Sequence, residues 1–367
     1  MSSSVTAKSR RLRLSGRVLI SVVFLGCPVV FAQQDPDEES VKKRPELPPL
    51  TAQVSPEEAL AAIKRRAQKI LQARREARRF KFSGEASEAV AYETNPSNGS
   101  SHKGDTSFEQ SAYLTLSKKL TPTLDWQANY SGSYLKYLDY GDGDYTDHTL
   151  TPLRFRWQPG KMWRVESWID VEYNYYPSGK DSTYRNLKLT KRVRQNLFKS
   201  WYHQIQYEWF TRDYATKNAR DGAGAETLSD RVDTRHRLRY KVGTTVKKAL
   251  LSVENEYYSN DSNDARNDFY DYAVWKINNS LSGSVTKKLY LSGSFSFERK
   301  NYKERPVTGL VAPARYDDKY TLSSSASYDI SKTWKLAYAF TFDHLASNEP
   351  TGEFDNAKHA LTVTARF

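Results

Sequence analysis

Apolar and polar residues alternate along most of the chain from residue 80 to the C-terminus. Successive side chains of a strand point to opposite faces, so this alternation predicts strands with one apolar and one polar face. The last run, residues 358–367, reads KHALTVTARF, with Leu361, Val363, Ala365 and Phe367 on one face. The pattern predicts fourteen strands, at residues 80–93, 107–118, 123–137, 148–157, 163–176, 183–195, 199–212, 230–243, 247–259, 268–284, 288–301, 316–329, 334–345 and 357–367.

Short turns that carry lysine alternate along the chain with longer loops rich in Asp, Asn and Gly. The short turns include residues 118–122, 245–248 and 286–288, and the long loops include 94–106, 213–229 and 302–315. An even number of antiparallel strands with short turns at one end and long loops at the other is typical of bacterial outer-membrane barrels. The predicted fold class is therefore all-β: an antiparallel up-and-down transmembrane β-barrel of about fourteen strands, preceded by a short helix.

The aromatic residues support this prediction. Trp126, Trp157, Trp163, Trp201 and Trp334 fall close to the short turns, whereas many Tyr and Phe residues fall towards the long loops. Two aromatic bands separated by the length of a strand are the girdles of a transmembrane barrel. The β-propensity of aromatic residues explains their presence in strands but does not explain this placement.

The composition agrees with a barrel that has a wet interior. The chain is 38% hydrophobic and 27% charged, and it contains 25 Tyr and only two Met. Its mean hydropathy is −0.76. A soluble α/β enzyme of this length usually carries more Leu, Ala and Met, whereas the lipid-facing band of a barrel is thin and its lumen is polar.

The first 32 residues predict a signal peptide. A basic segment that includes Lys8 and Arg17 precedes an apolar run over residues 18–31, and Ala32 offers a cleavage site before Gln33. Cleavage there removes the only cysteine, Cys27, and five basic residues with no acidic one, which lowers the formal net charge from +13 to +8. Much of the positive charge therefore belongs to the signal peptide, and we expect an outer-membrane protein of a Gram-negative-type bacterium without a nucleic-acid partner.

Residues 33–79 predict a periplasmic tether followed by a basic amphipathic helix. The segment 33–54 is acidic and then proline-rich, and the sequence SPEE at 55–58 is a helix start. The helix over residues 55–79 has a narrow apolar stripe and a broad basic face. Three interpretations are open: an arm that docks a periplasmic partner, a plug that enters the pore, or a solvated helix that only leads into the barrel.

The polar face of the predicted strands carries charges that alternate in sign around the wall. Arg154 and Arg156 precede an acidic strand, and a basic set on the eighth strand precedes another acidic strand. We call that basic set, Arg235, Arg237, Arg239 and Lys241, the eighth-strand ladder. One interpretation is a channel that guides an ionic or sugar solute; the other is that neighbouring charges neutralise one another across strands. The candidate pore-lining residues are Arg154, Arg156, Glu166, Asp170, Glu172, Lys188, Arg192, Arg194, Arg235, Arg237, Arg239, Lys241, Glu254 and Glu256.

No motif predicts catalysis. The sequence has neither a Gly-x-Ser-x-Gly elbow nor a His-Glu-x-x-His pair, and its six histidines are scattered. Asp343 and His344 form the only tight acid–histidine pair, which we interpret as a hydrogen-bonded pair at the rim. The acidic loops at 139–147 and 261–268 lack calcium-loop spacing. We therefore expect no enzyme, no cofactor and no metal site.

The opening of the barrel resembles the β-barrel porin 2 family. Residues 89–96 read AVAYETNP, a polar loop follows, and then come Phe108 and the strand SAYLTL at 111–116. The segment YLKY at 134–137 is also similar. The resemblance covers roughly residues 80–367 and implies an outer-membrane barrel, in a family with some members linked to exopolysaccharide or capsule export. The barrel is also similar to that of surface-lipoprotein assembly modifiers, but those proteins carry helical repeats in front of it, and one helix is too little for such an array.

The sequence thus predicts a porin-like channel for a polar solute or saccharide, with a relation to exopolysaccharide export implied by the resemblance. The alternative is a non-conducting barrel that acts as an accessory or docking protein in macromolecule export or surface display. The expected partners are outer-membrane lipid and lipopolysaccharide, the barrel-assembly machinery through Phe367 as the assembly signal, and a periplasmic partner through the 55–79 helix.

Overall fold

The computed structural model describes residues 56–77, 79–97, 103–178, 182–198, 200–266, 269–308 and 314–367. The predicted signal peptide and tether, and Ser55 at the predicted helix start, lie outside the described residues.

One α-helix, α1 (Pro56–Ala77), is present among the described residues. Proline is favoured at the first position of a helix, because the N–H group there has no partner within the helix. Glu57 and Glu58 lie in the first turn, where their negative charge suits the positive end of the helix dipole. The apolar side chains Leu60 and Ile63 are exposed, and the choice between arm, plug and leading helix stays a prediction. No helix among the described residues is both long enough and apolar enough to cross a bilayer.

Fourteen antiparallel strands form a closed barrel in which each strand pairs with its neighbours in sequence and β1 pairs with β14. The barrel is therefore of the up-and-down type, as the sequence predicts. The strands are β1 (Lys81–Glu93), β2 (Asp105–Lys119), β3 (Leu124–Tyr137), β4 (Tyr145–Trp157), β5 (Trp163–Tyr175), β6 (Tyr184–Asn196), β7 (Trp201–Arg220), β8 (Glu226–Val246), β9 (Ala249–Ser262), β10 (Tyr272–Ser284), β11 (Leu289–Pro306), β12 (Ala314–Asp329), β13 (Trp334–Ser347) and β14 (Phe354–Arg366).

Most predicted strands end within a few residues of the observed ones, and the clearest difference is the β7–β8 hairpin. The sequence predicts a loop over 213–229, but both strands continue into this region, with register shifts at Tyr214/Asn218 and Asn218/Arg220. Residues 213–229 are polar on both faces, so hydrophobic alternation does not reveal the strand there. The turn itself depends on Asp221, whose carboxylate accepts the backbone N–H groups of Ala223 and Ala225.

Burial in the barrel is the reverse of that in a soluble protein. On β5, Glu166 is only 1% exposed, whereas on the neighbouring β4 Phe155 and Trp157 are 38% and 48% exposed. Because side chains of a strand alternate between two faces, the polar face of the wall points into the barrel and the apolar face points outwards. A closed barrel leaves no strand edge unpaired, and an apolar outer wall suits the hydrocarbon of a bilayer. The fold class is that of a transmembrane β-barrel.

The C-terminal residue completes the closure of the barrel. Phe367 exchanges two backbone hydrogen bonds with Gly84 of β1, at 2.9 and 3.0 Å. Its ring lies on the outer wall, 65% exposed, with its centroid 6.4 Å from that of Phe82. Glycine allows this close approach, because a Cβ atom at Gly84 would lie 2.5 Å from the Phe367 ring.

Candidate functional site: the charged inner wall

The structure places all fourteen candidate residues on the inner face of the barrel wall, within the described residues. Their ion pairs do not join them all into one group. Ion pairs divide them into a cluster on β4–β6 around Glu166, a group on β5–β6 around Lys188, and a group on β7–β9 around the eighth-strand ladder. That these residues line a conducting path stays a prediction.

Glu166 is surrounded by four arginines, and we call these five residues the Glu166 cluster. The two shortest contacts are from Arg156 Nε at 2.8 Å and from Arg192 Nη1 at 2.9 Å. Arg154 Nη2 lies 3.5 Å and Arg164 Nε 3.7 Å from the same carboxylate. Strand register produces this convergence, because Arg156 and Arg192 lie directly opposite Glu166 on the two neighbouring strands.

Trp168 contacts two of these arginines. Its ring centroid lies 5.0 Å from Arg154 Cζ and 4.8 Å from Arg192 Cζ, within the range of cation–π contact. Its indole N–H donates to Asp170 at 3.1 Å. The indole therefore holds both guanidinium groups in place on the inner wall.

In the group on β5–β6, one lysine contacts two carboxylates. Lys188 Nζ lies 3.1 Å from Asp170 and also binds Glu172. Thr151 donates a hydrogen bond to Asp170 at 2.6 Å. The position of Thr151 depends on a register shift between Leu150 and Leu153 in the β4–β5 pairing.

The eighth-strand ladder is paired with acids for most of its length. Arg237 lies 3.0 Å from Glu208 and 3.3 Å from Glu256. Arg239 lies 2.6 Å from Glu256 and 3.5 Å from Glu208, so two arginines share two glutamates. Lys241 lies 3.6 Å from Glu254. These distances fit the interpretation in which neighbouring charges neutralise one another.

Two candidate arginines have aromatic neighbours in place of acids. Arg194 Cζ lies 3.7 Å from the ring centroid of Tyr202. Arg235 Cζ lies 4.7 Å from the Phe210 centroid and 4.8 Å from the Tyr258 centroid, and Arg235 also donates to the Tyr272 hydroxyl at 2.6 Å. Sequence reasoning assigned aromatic residues mainly to the outer girdles and missed these. The alternation itself was the available signal, since Phe210, Tyr258 and Tyr272 share parity with charged inner residues.

The predicted contact between Asp343 and His344 is wrong. Asp343 lies 3.2 Å from Lys319 on the inner side, whereas His344 Nδ1 lies 2.7 Å from Asp355. Adjacent residues of a strand point to opposite faces, so two neighbours in sequence do not pair there. Three more histidines form hydrogen bonds with tyrosine hydroxyls on the outer wall: Tyr130–His148, Tyr207–His236 and Tyr338–His359.

Acidic residues in and beside these loops contact the backbone and an arginine. Asp105 accepts the backbone N–H groups of Asp139 and Tyr140, at 2.9 and 2.7 Å. Asp144 accepts that of Tyr137 at 2.7 Å, and Asp264 lies 2.9 Å from Arg220. Within the described part of the chain, no three His, Cys, Asp or Glu side chains are grouped closely enough to hold a metal ion.

Cavities lie at several places along the wall. One, of about 470 Å³, is near the short turns, and its lining includes Lys81, Lys119, Asp125, Arg154 and Arg156. Another, of about 210 Å³, has a lining that includes Glu85, Ser111, Tyr113, Ser131 and Asp147. The first of these cavities therefore borders the Glu166 cluster.

Comparison with solved structures finds other outer-membrane barrels. The chain is similar to the outer-membrane expressed OmpT of Vibrio cholerae, with 9% identity, coverage of 78% of this chain and 97% of that one, and a TM-score of 0.49. It is similar to the outer-membrane channel DcaP of Acinetobacter baumannii, with 9% identity, 78% and 97% coverage, and a TM-score of 0.47. It is also similar to an anion-selective porin from Comamonas acidovorans, with 9% identity, 79% and 99% coverage, and a TM-score of 0.42.

No family model matches the sequence, and no curated protein matches it either. The resemblance to the β-barrel porin 2 family is therefore not confirmed and stays a prediction. The chain's own closed strand order and its reversed burial define its class, a transmembrane β-barrel.

Proposed function

We propose that this protein is a channel in the outer membrane of a Gram-negative-type bacterium that passes a polar solute or saccharide. The observation that carries the proposal is the inner wall, on which charged and hydroxyl side chains face a space bordered by cavities. Such a wall replaces water around a polar solute, whereas the exposed apolar outer wall suits lipid. We also propose that lipopolysaccharide contacts the rim of the barrel and that the barrel-assembly machinery recognises Phe367.

Single-channel conductance tests this proposal. The mature chain, residues 33–367, would be refolded and inserted into planar bilayers, and a second form would lack residues 33–79. Steady conductance in both forms is expected. Conductance that appears only after truncation would make the 33–79 segment a plug, and silence in both forms, with folding verified, would refute the channel.

A non-conducting docking protein is the second candidate. It is favoured by α1, because the exposed side chains of Leu60, Ile63, Ile70 and Leu71 leave apolar area for a partner. In that case the mature protein would bind a periplasmic partner, and the substitutions Leu60→Ser and Ile63→Ser would abolish that binding. Neither the mature protein nor the variants would conduct.

The predicted signal peptide belongs to the same proposal. Export with cleavage after Ala32 would give a mature protein that begins at Gln33. Mass spectrometry of protein extracted from outer membranes tests this; an intact N-terminus there would contradict it.

A further inference from the structure

The Glu166 cluster carries more positive charge than its own acid can neutralise. Four guanidinium groups lie within 3.7 Å of one carboxylate, an excess of three positive charges. On the neighbouring strands of the same inner face, Arg237 and Arg239 share Glu208 and Glu256, so their charges are balanced. The imbalance is therefore a property of the Glu166 cluster rather than of the whole inner wall.

The hydrogen bonding of the cluster is also incomplete. The Nε atoms of Arg154 and Arg164 are buried and donate no hydrogen bond to any described residue, and the same holds for Arg237 Nε in the eighth-strand ladder. A carboxylate offers about four acceptor positions, whereas each guanidinium offers five donors. Glu166 thus cannot satisfy four arginines, and buried donors without an acceptor cost free energy. An additional anion beside the cluster would reduce the repulsion between the cations.

The space for that anion adjoins the cluster. The cavity of about 470 Å³ is lined by Arg154 and Arg156 together with Lys81 and Lys119, and Asp125 is the acid in its lining. The Arg156 side chain is 39% exposed, so one cluster guanidinium reaches the cavity while it still contacts Glu166. The cavity is large enough for a small organic anion.

We infer that the Glu166 cluster and the adjoining cavity form an anion-binding site inside the barrel near the short turns, for a solute of the phosphate class. Arginine forks bind phosphate oxygens in pairs, and several cations on one side of a cavity favour a multivalent oxyanion over a single carboxylate. The inference rests on the proposed channel for the route by which the anion reaches the site. It assigns anion binding to the Glu166 cluster and the cavity beside it and not to the eighth-strand ladder.

Equilibrium dialysis of the refolded mature protein with labelled inorganic phosphate tests the site without any need for conductance. Arg156→Gln is expected to weaken phosphate binding about tenfold, because it removes a charged hydrogen-bond donor that faces the cavity. Glu166→Gln is expected to strengthen binding, because it removes the competing carboxylate and leaves the four arginines. General misfolding would weaken phosphate binding in both variants, so opposite effects of these two substitutions on the affinity exclude it.

Two further variants complete the design. Arg239→Gln makes the same change of charge on the balanced wall, and Arg299→Gln makes it on the outer face, where Arg299 binds Asp318. Neither should reduce phosphate binding as Arg156→Gln does. Equal loss in Arg156→Gln and Arg239→Gln would overturn the assignment, as would weaker binding in Glu166→Gln. If Glu166→Gln does not refold, the comparison of Arg156→Gln with Arg239→Gln decides by itself.

Competition distinguishes the source of the phosphate group. If glucose 6-phosphate displaces labelled phosphate and glucose does not, the ligands are phosphorylated saccharides. If only unlabelled inorganic phosphate displaces it, the ligand is free phosphate. Conductance in the same preparation separates the two proposals. A conducting barrel without phosphate binding refutes only the anion site, and a silent barrel that binds phosphate refutes only the channel.

Discussion

The seam between β1 and β14 should be sensitive to a single methyl group at Gly84. A Cβ atom at that position would lie 2.5 Å from the ring of Phe367 and 2.9 Å from Leu114. The backbone cannot retreat easily, because Gly84 exchanges two hydrogen bonds with Phe367. In Gly84→Ala the ring of Phe367 must therefore rotate away from the wall.

The expected magnitude follows from this geometry. Overpacking costs about 1–3 kcal/mol, and the ring is already 65% exposed and free to move, so we expect the lower end, about 1 kcal/mol of unfolding free energy. Gly293 is the matched control on β11, because the nearest atom to its Cβ would be Ser323 O at 3.8 Å. Gly293→Ala should stabilise by about 0.5 kcal/mol, since alanine has fewer conformations to lose on folding.

Urea unfolding in lipid vesicles measures both effects, with the gel mobility of unheated samples as the check of folding. A double-mutant cycle with Phe367→Ala then tests the cause, because most of the cost of Gly84→Ala should disappear once the ring is absent. If Gly84→Ala stabilises the barrel as Gly293→Ala does, or if its cost remains in the Phe367→Ala background, the ring contact is not the reason for glycine.

Three further predictions concern the inner wall and the loops. Glu256→Gln should lower the free energy of unfolding by about 1–3 kcal/mol, because Arg237 and Arg239 both bind this carboxylate; an unchanged urea midpoint would contradict this. The backbone N–H of Thr308 holds the pKa of Glu349 below its ordinary value. The hydrogen bond between Thr308 N–H and Glu349 should therefore be fully formed above the ordinary pKa and be lost as pH falls through the lowered pKa. Amide exchange at Thr308, measured against pH, would detect this loss. The Glu349→Gln variant should show no such step. Gly224 has a φ angle of +87°, which costs an L-residue about 1 kcal/mol. Gly224→Ala should therefore destabilise the β7–β8 turn by about 1 kcal/mol and speed its cleavage by a protease. Gly222→Ala should do neither, because the space around its Cβ is open.

The strands and their two faces could be predicted from the sequence because both are local properties. A period of two places Glu166, Asp170 and Arg192 on one face whatever their neighbours are, and one apolar face for each strand requires a lipid-facing wall. The polar β7–β8 hairpin escaped this reasoning, because its strands have no apolar face to mark them. The same local logic shows why Asp343 and His344 cannot contact each other.

The partners of each charge were decided only by the tertiary structure. The sequence predicted alternating basic and acidic strands, and from it the eighth-strand ladder was as good a candidate for free positive charge as Arg154 and Arg156. Register between strands, including the shift at Leu150/Leu153, brings two glutamates to Arg237 and Arg239 but only one to the four arginines around Glu166. An ion pair depends on distances of a few ångströms between different strands, and those distances exist only once the barrel has closed.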